Sequence, residues 1–107
     1  MEPILKTILK EGRTIHLGNL SLKYLEVQKP SVEQKNRFRF VVSAKVAKQA
    51  VLRNLLKRRG RYIIRKFSEK IRPSFFGMFF FKSGSIELDF VALEKEILDL
   101  LSKAKIV

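Results

Sequence analysis

The stretch that most constrains this chain runs from Lys45 to Arg72, K-V-A-K-Q-A-V-L-R-N-L-L-K-R-R-G-R-Y-I-I-R-K-F-S-E-K-I-R. It carries 11 of the chain's 23 lysines and arginines and a single acid, Glu69. Ala, Leu, Gln, Lys and Arg favour helix, and no proline intervenes before Pro73, so the pattern predicts one long helix over 45–72. At roughly 100° per residue the basic side chains sort themselves. Arg53, Lys57 and Arg61 recur every fourth residue, Arg65 continues the row, and Asn54 and Arg58 lie beside it. Leu52, Leu56, Ile63 and Phe67 form a stripe on the other side, with Leu55 and Tyr62 on its flank. A core must take the stripe, which leaves the basic row outside. Like charges on adjacent turns repel. A solvated helix face normally alternates them with acids, and here the acids are missing. The row therefore points to a polyanion, whose phosphates would release condensed counterions on binding.

Two cations break the sorting. Arg59 and Lys66 project between the stripe and its flank, which requires either snorkelling along the core edge or a bend in the helix. Gly60 costs about 1 kcal/mol relative to Ala in a helix interior and marks where such a bend would fall.

At 107 residues the chain is expected to form one domain, residues 1–107, with a single modest core. Apolar residues make up 46% of it, too many for a disordered basic tail. A formal net charge of +13 favours nucleic acid or an anionic membrane surface as partner. With no cysteine there is neither a disulfide framework nor a thiolate metal site. No apolar run approaches membrane-spanning length and no secretory signal is evident, so a cytoplasmic location is expected.

Taken in order, Ile4, Leu5, Ile8 and Leu9 suggest a short amphipathic helix from Pro3 to Gly12. Thr14–Leu17 and Leu20–Val27 read as strands joined by a Gly18-Asn19 turn. Gln28–Asn36 is a polar loop. In the strand Arg37–Ser43, alternation puts Phe38, Phe40 and Val42 in the core, with Arg37, Arg39 and Val41 on the opposite face. After the basic helix, Phe75–Phe81 has no polar side chain and reads as a buried central strand. The last segment is a helix with Phe90, Leu93, Ile97, Leu100 and Leu101 on its stripe and Asp89 as N-cap. The fold class is α+β, in the order α-β-β-β-α-β-α, a small sheet with helices mainly on one face.

Catalytic constellations are missing. His16 is the only histidine and has no acid or nucleophile near it in sequence. Glu87, Asp89, Glu94, Glu96 and Asp99 lack metal-ligand spacing and read as a solvated helix face. There is no phosphate-cradling glycine loop. The side chains describe a binding protein with no small-molecule substrate.

Arg53-Asn54-Leu55-Leu56-Lys57-Arg58-Arg59-Gly60-Arg61 resembles the R-N-x-x-K-R-x-x-R signature of the bacterial ribonuclease P protein family. Arg37–Lys48 resembles that family's strand and Ser-x-Lys turn, and the likeness extends more weakly over nearly the whole chain. The resemblance implies an α/β sandwich with a left-handed βαβ crossover, against the usual hand. It implies two partners, the ribonuclease P RNA and precursor tRNA, and a role in endonucleolytic 5′ maturation of tRNA. Catalysis would belong to the RNA, with Mg2+ held by RNA ligands. Lys45, Lys48, Arg53, Asn54, Lys57, Arg58, Arg61 and Arg65 would face the RNA subunit. Asn54 is equally suited to bracing the preceding turn. A cleft with Leu5, Leu9, Arg37, Arg39 and Val41 would take the single-stranded 5′ leader. Leu5 and Leu9 stand where the family has aromatic residues, so base stacking there gives way to plain apolar contact. Arg59 stands where an apolar residue is usual, and Ala44 and Ala47 where the family has Lys and Gly.

The rival reading is a ribosomal or general RNA-binding protein outside any enzyme, which shares the charge and size but not the signature. A membrane-surface helix is disfavoured, because the Phe-rich strand needs the apolar side of the long helix as cover.

Overall fold

The strand without a polar side chain takes the most enclosed place in the sheet. The computed structural model describes residues 3–27 and 38–107. Its four strands are β1 (Arg13–Leu17), β2 (Leu20–Glu26), β3 (Phe38–Val41) and β4 (Phe75–Phe81), in the order β1-β2-β4-β3. The hairpin β1–β2 is antiparallel, β2 pairs antiparallel with β4, and β4 pairs parallel with β3. Three helices complete the fold: α1 (Pro3–Glu11), α2 (Ala50–Lys66) and α3 (Phe90–Lys103). The order along the chain is the expected α-β-β-β-α-β-α.

Strand alternation splits β4 between two cores. Phe75, Phe79 and Phe81 join Leu20, Leu22, Phe38, Phe40, Leu56, Ile63, Leu93 and Ile97 under α2 and α3. Phe76 and Met78 point the other way and bury Ile8 of α1, with Leu5, Leu25, Val41 and Phe80 partly covered around them. The sheet is thus covered on both faces, by two helices on one and a short one on the other. The Phe40 and Phe79 rings stack at 5.3 Å, 7° from parallel, in the larger core.

The long basic helix is shorter than its composition predicts. It spans 50–66 rather than 45–72. At its start, Ser43 O accepts from the Val46 and Ala47 N–H groups, and this turn buries Ala47. Lys45 and Lys48 therefore precede the helix. At its end a 3₁₀ turn, Ser68–Lys70, leads out to Ile71, which is 4% exposed. The Arg72 N–H then donates to Ile106 O at 2.9 Å. Burying Ile71 and pairing with the C-terminal segment outweighs helix propensity in these residues, which the sequence pattern could not register. The expected strand 37–43 likewise ends early, at Val41, and Arg37 lies outside the described residues.

Gly60 has a packing role. The helix runs unbroken through it, and the residue is buried against the Phe40 ring. A Cβ there would sit 2.5 Å from a Phe40 ring carbon. The glycine lets α2 approach β3 closely. Gly18, in the β1–β2 turn, has φ +60°, a conformation that favours glycine. The Glu96 carboxylate closes that turn by accepting from the Asn19 backbone and side-chain amides.

Candidate nucleic-acid interface

Close packing at Gly60 sets how α2 presents its charges. Leu56, Gly60 and Ile63 face the sheet and are buried, while Leu52, Ile64 and Phe67 pack at the margin. The opposite arc carries Asn54, Arg58, Arg61 and Arg65, all exposed, with Lys57 half-buried beside them. Lys57 and Arg61 reach the outer edge of the sheet. With Phe38, Arg39 and Phe40 they line a groove of about 360 Å³, so three cations meet between helix and edge strand. Among the described residues none of Lys57, Arg58, Arg61 or Arg65 is paired with an acid.

Arg53 differs from the rest of the row. Its Nη1 donates to Ala47 O at 2.8 Å and to Lys48 O at 2.9 Å. The bracing role weighed for Asn54 belongs to Arg53, and Asn54 is exposed. Arg53 holds the turn that carries Lys45 and Lys48, both exposed, beside the first turn of α2. That first turn has no side-chain cap and no acid, so its free N–H groups add positive potential next to the two lysines.

Arg59 and Lys66 resolve separately. Arg59 is half-buried at the side of α2. The Lys66 Nζ donates to Glu94 of α3 at 2.9 Å and lies 5.3 Å from the Phe67 ring centroid. The hydrogen bond to Glu94 raises the Lys66 pKa above its ordinary 10.5, against a smaller lowering by desolvation. Tyr62, read as the flank of the apolar stripe, is instead 55% exposed.

A second surface lies on the face that α1 covers only in part. Register aligns His16, Ser21, Phe80 and Val41 in one row across all four strands, and Thr14, Lys23, Met78 and Arg39 in the next. The nine-residue α1 seats Ile8 on Phe76 and Met78, and Lys23 Nζ donates to Leu9 O at 2.7 Å. Leu5 and Val41 join this apolar cluster, Leu9 is 38% exposed, and Arg39 is half-buried. Of the expected cleft residues, Leu5 and Leu9 lie on α1, Val41 packs in the same cluster as Leu5, Arg39 shares the sheet face with Met78, and the fifth, Arg37, is outside the described residues. Phe80 belongs to the run that reads as a buried central strand. It is half-buried beside Val41, whereas Phe79 and Phe81 are enclosed. Strand alternation places it on the α1 face, where it is covered only in part.

The acids near the C-terminus have structural work. Asp89 Oδ1 accepts from the Ala92 N–H at 2.8 Å as the N-cap of α3, Glu94 meets Lys66, Glu96 closes the hairpin turn and Asp99 pairs with Lys95. Among the described residues no group of three metal-ligating side chains exists. Among the described residues no helix is long and apolar enough to cross a membrane.

A family model described as ribonuclease P matches residues 5–105. The chain belongs to the ribonuclease P protein family. It is the protein subunit of a ribonuclease P ribonucleoprotein, and its partner is the ribonuclease P RNA. The ribonuclease P protein component of Microcystis aeruginosa is 35% identical over 96 residues, covering 90% of this chain and 80% of that one. The Synechococcus elongatus component is 32% identical over 102 residues, covering 94% and 83%. The solved ribonuclease P protein of Thermotoga maritima superposes with a TM-score of 0.80 over 94% of this chain and 91% of its own, at 24% identity. That of Staphylococcus aureus gives 0.77 over 99% and 93%, at 18% identity. These two structures establish that the four-stranded fold is the family's own.

Proposed function

We propose that this ribonuclease P subunit lies against its RNA through the acid-free flank of α2 and receives the 5′ leader of precursor tRNA beside α1. The observation that carries the reading is the set Lys57, Arg58, Arg61 and Arg65, four cations on one arc with no acid partner among the described residues. A chain that stacks such charges gains from a polyanion that separates them. Lys57 and Arg61, converging with Arg39 at the edge groove, suit one or two phosphates, Arg as a bidentate fork and Lys as a point charge. Lys45 and Lys48 extend the contact to the helix start. Arg53 acts through the turn it braces.

On the other face, Leu5, Val41 and Phe80 offer an apolar floor to an unstacked strand, with Arg39 on the same face of the sheet. Phe80 supplies the aromatic surface that Leu5 and Leu9 lack, and base–aromatic stacking is worth about 1–3 kcal/mol per base. Hydrolysis is assigned to the RNA, with Mg2+ held by RNA ligands. The protein contributes binding and neutralises charge, which lowers the Mg2+ needed to fold the RNA.

The test is reconstitution with a bacterial ribonuclease P RNA at low Mg2+, scoring 5′ processing of precursor tRNA. Processing should rise when this chain is added and be undetectable with the chain alone. No gain over RNA alone would refute the proposed role, and turnover in an RNA-free preparation would move catalysis to the protein.

A further inference from the structure

Tyr62 is an exposed aromatic ring in the middle of a cationic helix. It sits on the side of α2 turned away from the sheet, with Arg58 and Arg59 one turn before it and Arg65 and Lys66 one turn after. Its one ring neighbour among the described residues is Phe90, the first residue of α3, at 5.7 Å and 66°. Such an edge-to-face contact fixes the ring while leaving 55% of the residue in solvent. Phe90 is half-buried, so the two rings make a step on the α2–α3 seam. The three arginines have no acid partner among the described residues. Lys66 is held by Glu94, the one carboxylate among the described residues in contact with this group of cations. A tyrosine whose only task was to close the seam would gain most by burying its ring. This one is braced from the side and open to solvent, within one turn of three unneutralised guanidinium groups.

We propose that Tyr62, backed by Phe90, stacks on an unpaired nucleobase of the bound RNA, with Arg58 and Arg65 on the adjoining phosphates. The inference rests on α2 facing RNA and extends that contact around the helix toward α3, from charge alone to charge plus a base platform. An aromatic face joined to a basic track is the arrangement that binds single-stranded nucleic acid, and it tolerates any base because each has a π face. Charge complementarity selects RNA over a protein partner, which would have to present acids to the same three arginines.

The chain has two tyrosines and no tryptophan, so Tyr24→Phe leaves Tyr62 as the only source of tyrosine emission. Titration of that variant with a bacterial ribonuclease P RNA, with retention of the complex measured on the same samples, should quench the emission as the complex forms. Tyr62→Ala and Tyr62→Leu should each weaken binding roughly 5- to 150-fold, and Tyr62→Phe should restore most of it. Neither loss should change the salt slope, because a stacked ring releases no counterions, whereas Arg58→Ala should flatten it by just under one. A complex that forms with Tyr62 emission unchanged overturns the proposal. So does Tyr62→Leu binding as well as Tyr62→Phe, which would reduce the ring to packing bulk. Failure of the unsubstituted chain to retain RNA would instead remove the RNA-facing role of α2, and the stacking site with it.

Discussion

Helices α2 and α3 lie side by side on one face of the sheet and use charge in opposite ways. On α3, and at the Asp89 cap before it, the acids are engaged within the molecule: Asp89 caps the helix, Glu94 holds Lys66, Glu96 closes the hairpin turn and Asp99 holds Lys95. On α2, Lys57, Arg58, Arg61 and Arg65 have no acid partner among the described residues. Both helices bury an apolar stripe in the same core. The difference lies on their other sides. Charges that serve the fold come with a partner close by, and charges left in mutual repulsion fit the proposed contact with RNA.

That contrast can be attacked first at the inward side of α2, where the effect should be largest. Ile63 is fully buried, so Ile63→Ala should cost about 2–5 kcal/mol in denaturant unfolding and leave the salt slope of RNA binding unaltered. The outward side should behave in the reverse manner. Lys57→Ala with Arg61→Ala should leave the unfolding midpoint nearly unmoved, weaken RNA binding and flatten the slope of log K against log salt by about 1.5. This pair is a cleaner probe than one that includes Arg53, because losing Arg53 also loosens the turn at Ala47 and Lys48.

A smaller effect is expected where the two sides of α2 meet. Gly60→Ala should gain about 1 kcal/mol of helix propensity, yet the new methyl would collide with a Phe40 ring pinned against Phe79. Overpacking typically costs about 1–3 kcal/mol, so thermal unfolding should show a net loss. A gain in stability would mean that Phe40 yields easily and that the glycine is not needed for close approach. The smallest effect belongs to the one contact that joins the two helices by charge. Glu94→Gln should free Lys66 and steepen the salt slope slightly, by less than a full phosphate contact. An unchanged slope would put Lys66 outside the RNA footprint.

Much of the architecture is legible in short-range pattern. Alternation in Phe38–Phe40–Val42 foretells a strand with one face in the core, and the polar-free Phe75–Phe81 run foretells a central one. Four-residue spacing foretells a basic arc opposite an apolar stripe. These patterns carry through because each depends only on backbone periodicity. The helix ends do not carry through. Residues 67–72 leave the helix to bury Ile71 and pair with Ile106, and residues 45–49 form a turn locked by Arg53. Arg53 shows the same limit within the signature itself, since spacing marks it as a basic row member and only its carbonyl partners reveal a brace. Which ring of the Phe75–Phe81 run stays half-open is not legible along the chain, because a run without polar residues looks uniformly buried and its cover is a property of the assembled layers.

Alone, the sequence determined the periods, the excess of unpaired positive charge and the family signature, because these are properties of neighbours along the chain. The tertiary structure decided which positive side chains stand free, which aromatic rings stay open and why a glycine interrupts the helix stripe. Those outcomes depend on how closely α2 approaches β3, how much of the sheet α1 covers and where α3 begins, distances set between elements far apart in sequence.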